Sequence, residues 1–263
     1  MRTNSVDYAW QKALSAVILT GLKVAPRGKP TLELMQQTVT IDMRRPVLLT
    51  PARKLNYKFM AAEAYWILSG SDSVSDIAPW NKNISAFSDD GVTFFGAYGP
   101  KILSQLDYVV NRLRVDPDSR QAGLTIWREN PPATKDVPCT VAIFANIRDG
   151  QLNLSVYMRS SDLWLGLPYD IFNFSMLAHL ICANLPGQLE GVTISPGNLY
   201  VTAFSSHLYK ENMLAASECL KALTIPDQSP TPDFMHQSMD DLLVRLAKLR
   251  DSSPGDANRW WES

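Results

Sequence analysis

CTVAIFANIRDGQLNLSVYMR, which occupies residues 139–159, is the stretch of sequence that decides the fold. Two runs of strand-like composition flank Asp149-Gly150, and an Asp-Gly pair between such runs is a strong hairpin signal. The second run alternates apolar with mostly polar residues, as a half-buried strand does, and its apolar members are Leu152, Leu154, Val156 and Met158. The stretch therefore predicts two antiparallel strands joined by a two-residue turn.

The hairpin brings reactive side chains to one end of the ribbon. With a two-residue loop, the predicted register places Thr140 opposite Arg159 and Cys139 opposite Ser160. A neighbouring guanidinium stabilises a thiolate, which is the form of cysteine that attacks carbon, so Cys139 is a candidate nucleophile. A cysteine after a proline also suits a small buried apolar residue, and Arg159 could instead cap a strand or pair with Asp162.

Periodicity outside the hairpin predicts a mixture of helices and strands. The predicted helices span residues 5–22, 55–69, 171–184, 210–223 and 239–249. Strands are predicted over 31–43 and, as one or two segments, over 191–209, while the aromatic, turn-rich residues 79–100 are predicted to form an ordered functional loop. Long pairing strands with several helices indicate the α+β class, and the length suits a single domain over 1–263.

The bulk composition excludes several classes of protein. Hydrophobic residues make up 46% of the chain and charged residues 19%, as in globular proteins, and a net charge of −1 provides no basic surface for nucleic acid. Three cysteines without a CxxC pair indicate a reducing compartment, and no Cys or His spacing indicates a metal site. Without an apolar signal core or a long apolar run, we expect a cytoplasmic protein with no membrane partner.

A longer segment, residues 138–180 (PCTVAIFANIRDGQLNLSVYMRSSDLWLGLPYDIFNFSMLAHL), resembles the active-site core of the thymidylate synthase family, which includes the deoxycytidylate hydroxymethylases. It contains Pro-Cys, the Asp-Gly hairpin, and then Arg-Ser-x-Asp-x-x-x-Gly-x-x-x-(Asn or Asp) at the family's spacing. Flanking segments match further family motifs in order: EAYWILSG (63–70), FGAYG (95–99), DPDSRQ (116–121) and SSHLYKEN (205–212). The resemblance covers about residues 10–215, whereas residues 225–263 diverge.

The resemblance implies a thymidylate synthase-like fold, with a large mixed β-sheet flanked by helices, in a homodimer with shared active sites. It also implies one-carbon transfer from 5,10-methylenetetrahydrofolate to C5 of a pyrimidine nucleoside monophosphate. Cys139 matches the nucleophile that adds to C6, which makes C5 a carbanion equivalent. Glu63 matches the residue that manages protons, and its apolar neighbours in sequence would raise its pKa. Tyr98 matches the tyrosine near C5.

Other matches concern the phosphate and the sugar of the nucleotide. Arg159 and Ser160 match residues that bind the 5′-phosphate, and Arg120 matches one that the partner subunit supplies. Arg27 matches the arginine of the mobile phosphate loop, or is simply a solvated turn cation. The pair matched to the sugar hydroxyl is His207 and Tyr209, with Tyr200 and Thr202 as a competing alignment.

The matches around the folate are Arg53, Trp80, Ile84, Phe87, Asp162 and Gly166. Asp162 and Gly166 match positions that hold the pterin, and Arg53 matches a basic residue near the folate tail. Ile84 and Phe87 stand where thymidylate synthases have folate-shielding tryptophans, and Trp80 could replace them only if the loop shifts.

Asp170 is the position that indicates the base. Thymidylate synthases carry Asn there, which accepts from uracil N3–H and donates to O4, whereas family members acting on cytosine carry Asp. A carboxyl group accepts from the cytosine N4 amino group and can share a proton with N3. Asp170 also precedes the predicted helix at 171–184 and would suit an N-cap, and both roles are compatible.

Departures from the family favour a hydroxymethylase. Gln121 replaces the second arginine of the Ser-Arg-Arg motif, and RWWES (259–263) does not resemble the closing C-terminal segment of thymidylate synthases. With less shielding, water rather than hydride would complete the reaction. The sequence therefore predicts hydroxymethylation of dCMP, as in phage enzymes that make modified DNA precursors. The alternatives are a dCMP methylase, a thymidylate synthase acting on dUMP, and an inactive nucleotide-binding homologue.

Overall fold

One six-stranded mixed sheet organises the chain, and the computed structural model describes residues 5–185, 189, 191–221 and 238–252. The strands are β1 (Leu22–Val24), β2 (Thr31–Asp42), β3 (Gly123–Thr125), β4 (Thr140–Arg148), β5 (Gln151–Asp162) and β6 (Ser195–Tyr209). Their order across the sheet is β1-β2-β6-β5-β4-β3. Only the β5–β6 pair within this sheet is parallel, so the predicted α+β class with a mixed sheet is confirmed.

The predicted hairpin is present, with one correction to its register. Asp149 and Gly150 both have positive φ, 51° and 70°, as a two-residue hairpin turn of type I′ requires. The pairing follows the prediction up to Ala142 opposite Tyr157, where a β-bulge follows and Thr140 faces Met158 instead of Arg159. A bulge inserts one extra residue on one strand, so the Arg159 amide now donates to the Cys139 carbonyl at 2.8 Å. The predicted pairing of Cys139 with Ser160 is therefore wrong by one residue.

Seven helices flank the sheet in the described part of the chain: α1 (Val6–Thr20), α2 (Tyr57–Leu68), α3 (Val74–Ile77), α4 (Tyr98–Val115), α5 (Leu167–Asn184), α6 (Met213–Lys221) and α7 (Met239–Asp251). Short 3-10 turns lie at Pro26–Gly28, Pro51–Arg53, Lys82–Phe87 and Lys210–Asn212. The prediction missed α4, which begins inside the segment 79–100 that was expected to be a loop. Residues 225–232, predicted as a connection, and the tail from 253 onward lie outside the described residues.

Helix α5 is the centre of the core. It joins the parallel strands β5 and β6, a connection that requires a long crossover, and 13 of its 18 residues are buried. The helix begins at Leu167, four residues earlier than predicted, because Gly166 is the N-cap and Pro168 fits the first turn. Asp170 therefore lies in the first turn of α5, and its predicted role as an N-cap is wrong.

The last described helix, α7, packs on α2 and holds the segment after α3. The Arg250 guanidinium lies between two aromatic rings, 4.7 Å from the centre of Tyr65 on α2 and 5.0 Å from that of Trp80. The Trp80 indole N–H donates to the Arg250 carbonyl at 3.1 Å. Trp80 is thereby fixed against α7. Within the described residues, no helix is long and apolar enough to cross a membrane.

Replacing Arg250 by alanine should lower the free energy of unfolding by about 1 kcal/mol, because the cation beside the two rings is lost. The ion pair with the exposed Asp251 contributes little, and the main-chain bond to Trp80 remains. Urea denaturation followed by circular dichroism measures the change. Lys248→Ala, on the exposed side of α7, is the matched control and should leave stability unchanged. Equal losses in the two variants would contradict the cation–π contribution.

Candidate active site

The thiol of Cys139 lies at the start of β4 beside two polar groups. The Ser160 hydroxyl donates to Cys139 Sγ at 3.6 Å, and Arg159 Nη1 donates to the same hydroxyl at 3.0 Å. Both groups lower the pKa of Cys139, but burial is the larger effect and raises it above its ordinary value. The resting side chain is therefore a thiol, and Arg159 and Ser160 favour the thiolate when a proton acceptor is available.

Arg159 is held rigidly with part of its guanidinium free. Its Nε donates to the Pro138 carbonyl at 3.0 Å and its Nη2 to the Val137 carbonyl at 2.7 Å, in addition to the bond to Ser160. These bonds use three of the five N–H donors of the guanidinium. Two donors remain for an anionic ligand next to Cys139.

The neighbouring strand β6 extends the same end of the sheet. Ser205 pairs with Ser160, and His207 pairs with Asp162. The rings of His207 and Tyr209 lie 5.2 Å apart, centre to centre. The competing candidate Tyr200 instead pairs with Ser155, several residues back along β5, so the structure brings His207 and Tyr209 to the Arg159 end.

The loop that carries Arg27 lies beside Tyr209. Lys29 Nζ is 5.6 Å from the centre of the Tyr209 ring, and the Lys210 amide donates to the Pro30 carbonyl at 3.0 Å. Arg27 itself is exposed and has a positive φ of 54°, a backbone conformation that residues other than glycine rarely adopt. Arg120 is exposed after α4 and has no hydrogen bond or ion pair to any described residue.

A cavity of about 170 Å³ opens between α2 and α5. Its polar lining consists of Glu63, Tyr98, Asp136, Asp170 and Asn173, and its apolar lining includes Trp66, Ile84, Phe87 and Phe94. Cys139 is next to this cavity, because the charges of Asp136 and Asp170 both act on its thiol. The predicted catalytic residues are thus grouped by elements far apart in sequence.

Two acids in the cavity have strongly raised pKa values. Burial raises the pKa of Glu63 to about 7, against a single hydrogen bond from Asn173 Nδ2 at 2.8 Å that lowers it. Burial, followed by the charges of Glu63 and Asp162, raises the pKa of Asp170 to about 8. At neutral pH, Asp170 is therefore mainly a neutral acid, able to donate as well as accept a hydrogen bond.

Tyr98, at the start of α4, connects the cavity to the nucleophile. Its hydroxyl accepts from the amide of Thr140, the residue after Cys139, at 3.2 Å. Its ring stacks on Phe174 of α5, 6.5 Å between centres and 10° between planes. These contacts place the phenol oxygen beside the strand end that carries Cys139.

Two polar residues of the cavity, Asn173 and Asp136, are not among the residues predicted from the sequence. Asn173 follows Asp170 by one helical turn, a spacing that puts both on one face of α5 and could have indicated it. The Asn173 carbonyl oxygen is buried and has no partner among the described residues. Asp136 lies three residues before Cys139 in a segment without regular structure, where no periodicity marks it.

A family model described as Thymidylate synthase matches residues 8–256 of this chain. The chain belongs to the thymidylate synthase family. Two relatives named deoxyuridylate hydroxymethyltransferase, from Bacillus phage SP01 and Pseudomonas phage M6, are 34% and 30% identical to it over 224 and 204 residues. The alignments cover 76% and 73% of this chain but 56% and 58% of the relatives, so the chain spans less than two thirds of their length. The thymidylate synthase of Enterobacteria phage T4 is 25% identical over 237 residues, which is 81% of this chain and 80% of the relative.

In this member of the thymidylate synthase family, the residues matched to the folate divide into two groups. Ile84 and Phe87 line the cavity, and Phe87 is 56% exposed. Trp80 is not among the cavity-lining residues, because its ring packs on Arg250. Gly166 lies at the N-terminus of α5, one helical turn before Asp170.

Arg53 and Asp162 meet at the turn that precedes α5. Both Arg53 Nε and Nη2 donate to the Trp164 carbonyl, at 3.1 and 2.6 Å, and the guanidinium lies 4.6 Å from the centre of the Trp164 ring. Asp162 accepts from the amides of Trp164 and Leu165 at 2.8 and 2.9 Å. Both side chains therefore stabilise the turn from β5 into α5. Within the described residues, no group of three acidic, histidine or cysteine side chains could hold a metal ion.

Glu63→Gln tests the raised pKa of Glu63. In the folded protein the carboxyl is protonated up to about pH 7, whereas in the unfolded chain it ionises near 4.5, so the folded state holds an extra proton between these values. The wild type therefore loses stability as pH rises through this window, and the glutamine variant lacks the part of this loss that comes from Glu63. Urea unfolding at pH 5 and pH 8 should show that the variant gains stability relative to wild type at the higher pH. Glu129→Gln, at an exposed carboxylate, should show no such gain, and a flat difference for both variants would refute the assignment.

Proposed function

We propose that this protein transfers a one-carbon unit from 5,10-methylenetetrahydrofolate to C5 of dCMP and releases the hydroxymethyl product. The observation that carries the proposal is Asp170, a buried acid with a pKa near 8 in the same cavity as Glu63 and Tyr98 and next to Cys139. The family to which the chain belongs supports one-carbon transfer, and the names of two relatives support the hydroxymethyl product.

Cytosine is favoured by the basicity of its N3. A neutral Asp170 donates its proton to N3 and accepts from the N4 amino group. Transfer of that proton makes a carboxylate facing two N–H groups of a cationic ring, and such charge-assisted hydrogen bonds are the strong ones. Uracil cannot form this pair because its N3 already carries a proton. Protonation at N3 would also draw electrons from C6, where Cys139 attacks.

The remaining roles follow from the arrangement around Cys139. Arg159 offers two N–H donors to the 5′-phosphate, with Ser160, the Arg27 loop and the His207–Tyr209 pair around the phosphate and sugar. Cys139 adds to C6, and Tyr98 helps remove the C5 proton. Glu63, whose pKa near 7 suits both proton uptake and release, manages protons at the ring.

The lining of the cavity suits the flat ring of a folate. Phe87 and Ile84 offer an apolar wall to such a ring system. When bound, the folate supplies the carbon unit at the oxidation level of formaldehyde. Asp162 and Gly166 would shape the pterin end, and Arg53 would lie toward the tail.

A second candidate is hydroxymethylation of dUMP. The two hydroxymethyltransferases reported above are named for deoxyuridylate, and a neutral carboxyl group can also accept from N3–H while donating to O4. This geometry uses the same cavity and the same nucleophile. The two candidates differ only in which oxygen of Asp170 carries the proton.

A homodimer with Arg120 reaching the partner's active site is part of the proposal. Exposed aromatic side chains form one face of the sheet: Phe144 is 43% exposed, Tyr157 48%, Tyr200 37% and Phe204 56%. A contiguous exposed apolar face supports burial against another copy. Arg120 is exposed and has no partner among the described residues, so it is available to a second site.

Asp170→Asn should reverse the choice of base. With wild type, kcat/KM for dCMP should fall as pH rises through about 8, because Asp170 loses the proton that it shares with N3. The asparagine variant should lack this fall and should shift the dCMP/dUMP ratio of kcat/KM toward dUMP by on the order of ten-fold or more. Asp72→Asn, at an exposed carboxylate, is the control. A wild type that consumes dUMP alone would establish the second candidate instead.

The products test the reaction class. Incubation with dCMP and 5,10-methylenetetrahydrofolate should yield a nucleotide whose mass shows a hydroxymethyl group, without the absorbance of dihydrofolate. Cys139→Ala should abolish turnover. Cys182→Ala, at a half-buried cysteine near the end of α5, should retain it. A methylated nucleotide with dihydrofolate would refute the hydroxymethyl product, and full activity of the Cys139 variant would refute the mechanism.

A further inference from the structure

Asp136 is a third acid in the cavity, and the proposed function gives it no catalytic role. It lines the cavity together with Glu63, Tyr98 and Asp170, and it is close enough to Cys139 for its charge to act on the thiol. It lies in the segment just before β4, three residues before Cys139. Asp136 is therefore in the same cavity as the acids of α2 and α5 and close to the proposed nucleophile.

The position of Asp136 is set by a tight contact with Gly96. The Gly96 amide donates to Asp136 Oδ2 at 2.7 Å. A Cβ at position 96 would lie 2.4 Å from the Asp136 carbonyl and 3.0 Å from Oδ2, so only glycine allows this approach. Among the described residues, no other donor contacts the carboxylate, which leaves Oδ1 for a ligand or water.

The other two acids are less suited to activate water. Glu63 is bonded to Asn173, and Asp170 faces the base in the proposed complex. Asp136 and the unpartnered Asn173 carbonyl are both acceptors that line the cavity, and a water molecule has two O–H donors. The cavity has a volume of about 170 Å³, and a water molecule needs only about 10–15 Å³ of such space.

We propose that Asp136 is the general base that activates the water completing hydroxymethylation, an inference that rests on the proposed function. After the carbon unit has bonded to C5, loss of the C5 proton and departure of tetrahydrofolate leave the nucleotide bound to Cys139 with an exocyclic methylene group. The water oxygen bonds to the methylene carbon, and the water proton passes to the Asp136 carboxylate. The π electrons move into the ring, and departure of the Cys139 thiolate from C6 restores the 5,6 double bond. No oxidant or reductant is consumed.

Asp136→Asn separates water activation from the earlier steps. The amide is isosteric and keeps an oxygen to accept from the Gly96 amide, but it cannot take a proton from water. Three quantities are measured: the rate of hydroxymethyl product formation, the KM for the folate, and the release of tritium from C5 of the nucleotide without folate. Tritium release needs the Cys139 adduct and removal of the C5 proton, but no water addition. It also reports whether the variant is folded.

In the asparagine variant, we expect product formation to fall on the order of 100-fold or more, which is the usual contribution of a general base. Tritium release should stay within about two-fold of wild type, and mass spectrometry of the quenched enzyme should show a nucleotide adduct on Cys139 that carries the extra carbon. Asp107→Asn, at an exposed carboxylate of α4, should match wild type in every assay.

Other outcomes would overturn the inference. Product formation at the wild-type rate, or a raised KM for the folate with unchanged kcat, would show that Asp136 is no base, and the second result would make it a folate ligand. Equal loss of tritium release and product would make it a structural residue. A wild type that forms no hydroxymethyl product would refute the proposed function and the role of Asp136 together.

Discussion

Two neighbouring parallel strands cannot be joined by a tight turn, and this constraint organises the molecule. The chain leaves β5 at Asp162 and returns as β6, so it must cross the sheet through α5, which is buried on most of its surface. The start of this helix consequently lies next to the start of β4 and the end of β5. Asp170 and Asn173 face Glu63 of α2 for this reason, and Cys139 lies beside them.

Burial at this place has a chemical consequence. Carboxyl groups between two packed helices lose hydration, and few hydrogen bonds replace it. Glu63 and Asp170 therefore titrate at about pH 7 and pH 8, while the Cys139 thiol becomes harder to ionise. The same low polarity that weakens the resting nucleophile keeps Asp170 able to donate a proton. A basic ring nitrogen is the partner that such an acid suits best.

The structure also shows how distant elements support the cavity wall. The segment with Ile84 and Phe87 follows Trp80, which is held by Arg250 of α7. On the other side, Gly96 has no side chain to keep the main chain of Asp136 away. The Gly96 amide therefore donates a hydrogen bond to the Asp136 carboxylate. The wall between these points is partly apolar and partly acidic, which suits a flat ligand that must leave room for water.

Local signals in the sequence determined the β4–β5 hairpin, most helices and strand β2. Asp149-Gly150 selects its turn through backbone geometry alone, and the motif around Cys139 and Arg159 indicated the family. Four features were decided only by the tertiary structure. They are the bulge at Thr140, the earlier start of α5, the packing of Trp80 on Arg250, and the position of Asp136 in the cavity lining. Each depends on contacts between residues distant in sequence, and the raised pKa of Asp170 depends in the same way on burial by α2. Spacing along the sequence does not determine burial by a distant element. For this physical reason, the sequence identified Asp170 but could not predict its protonation state.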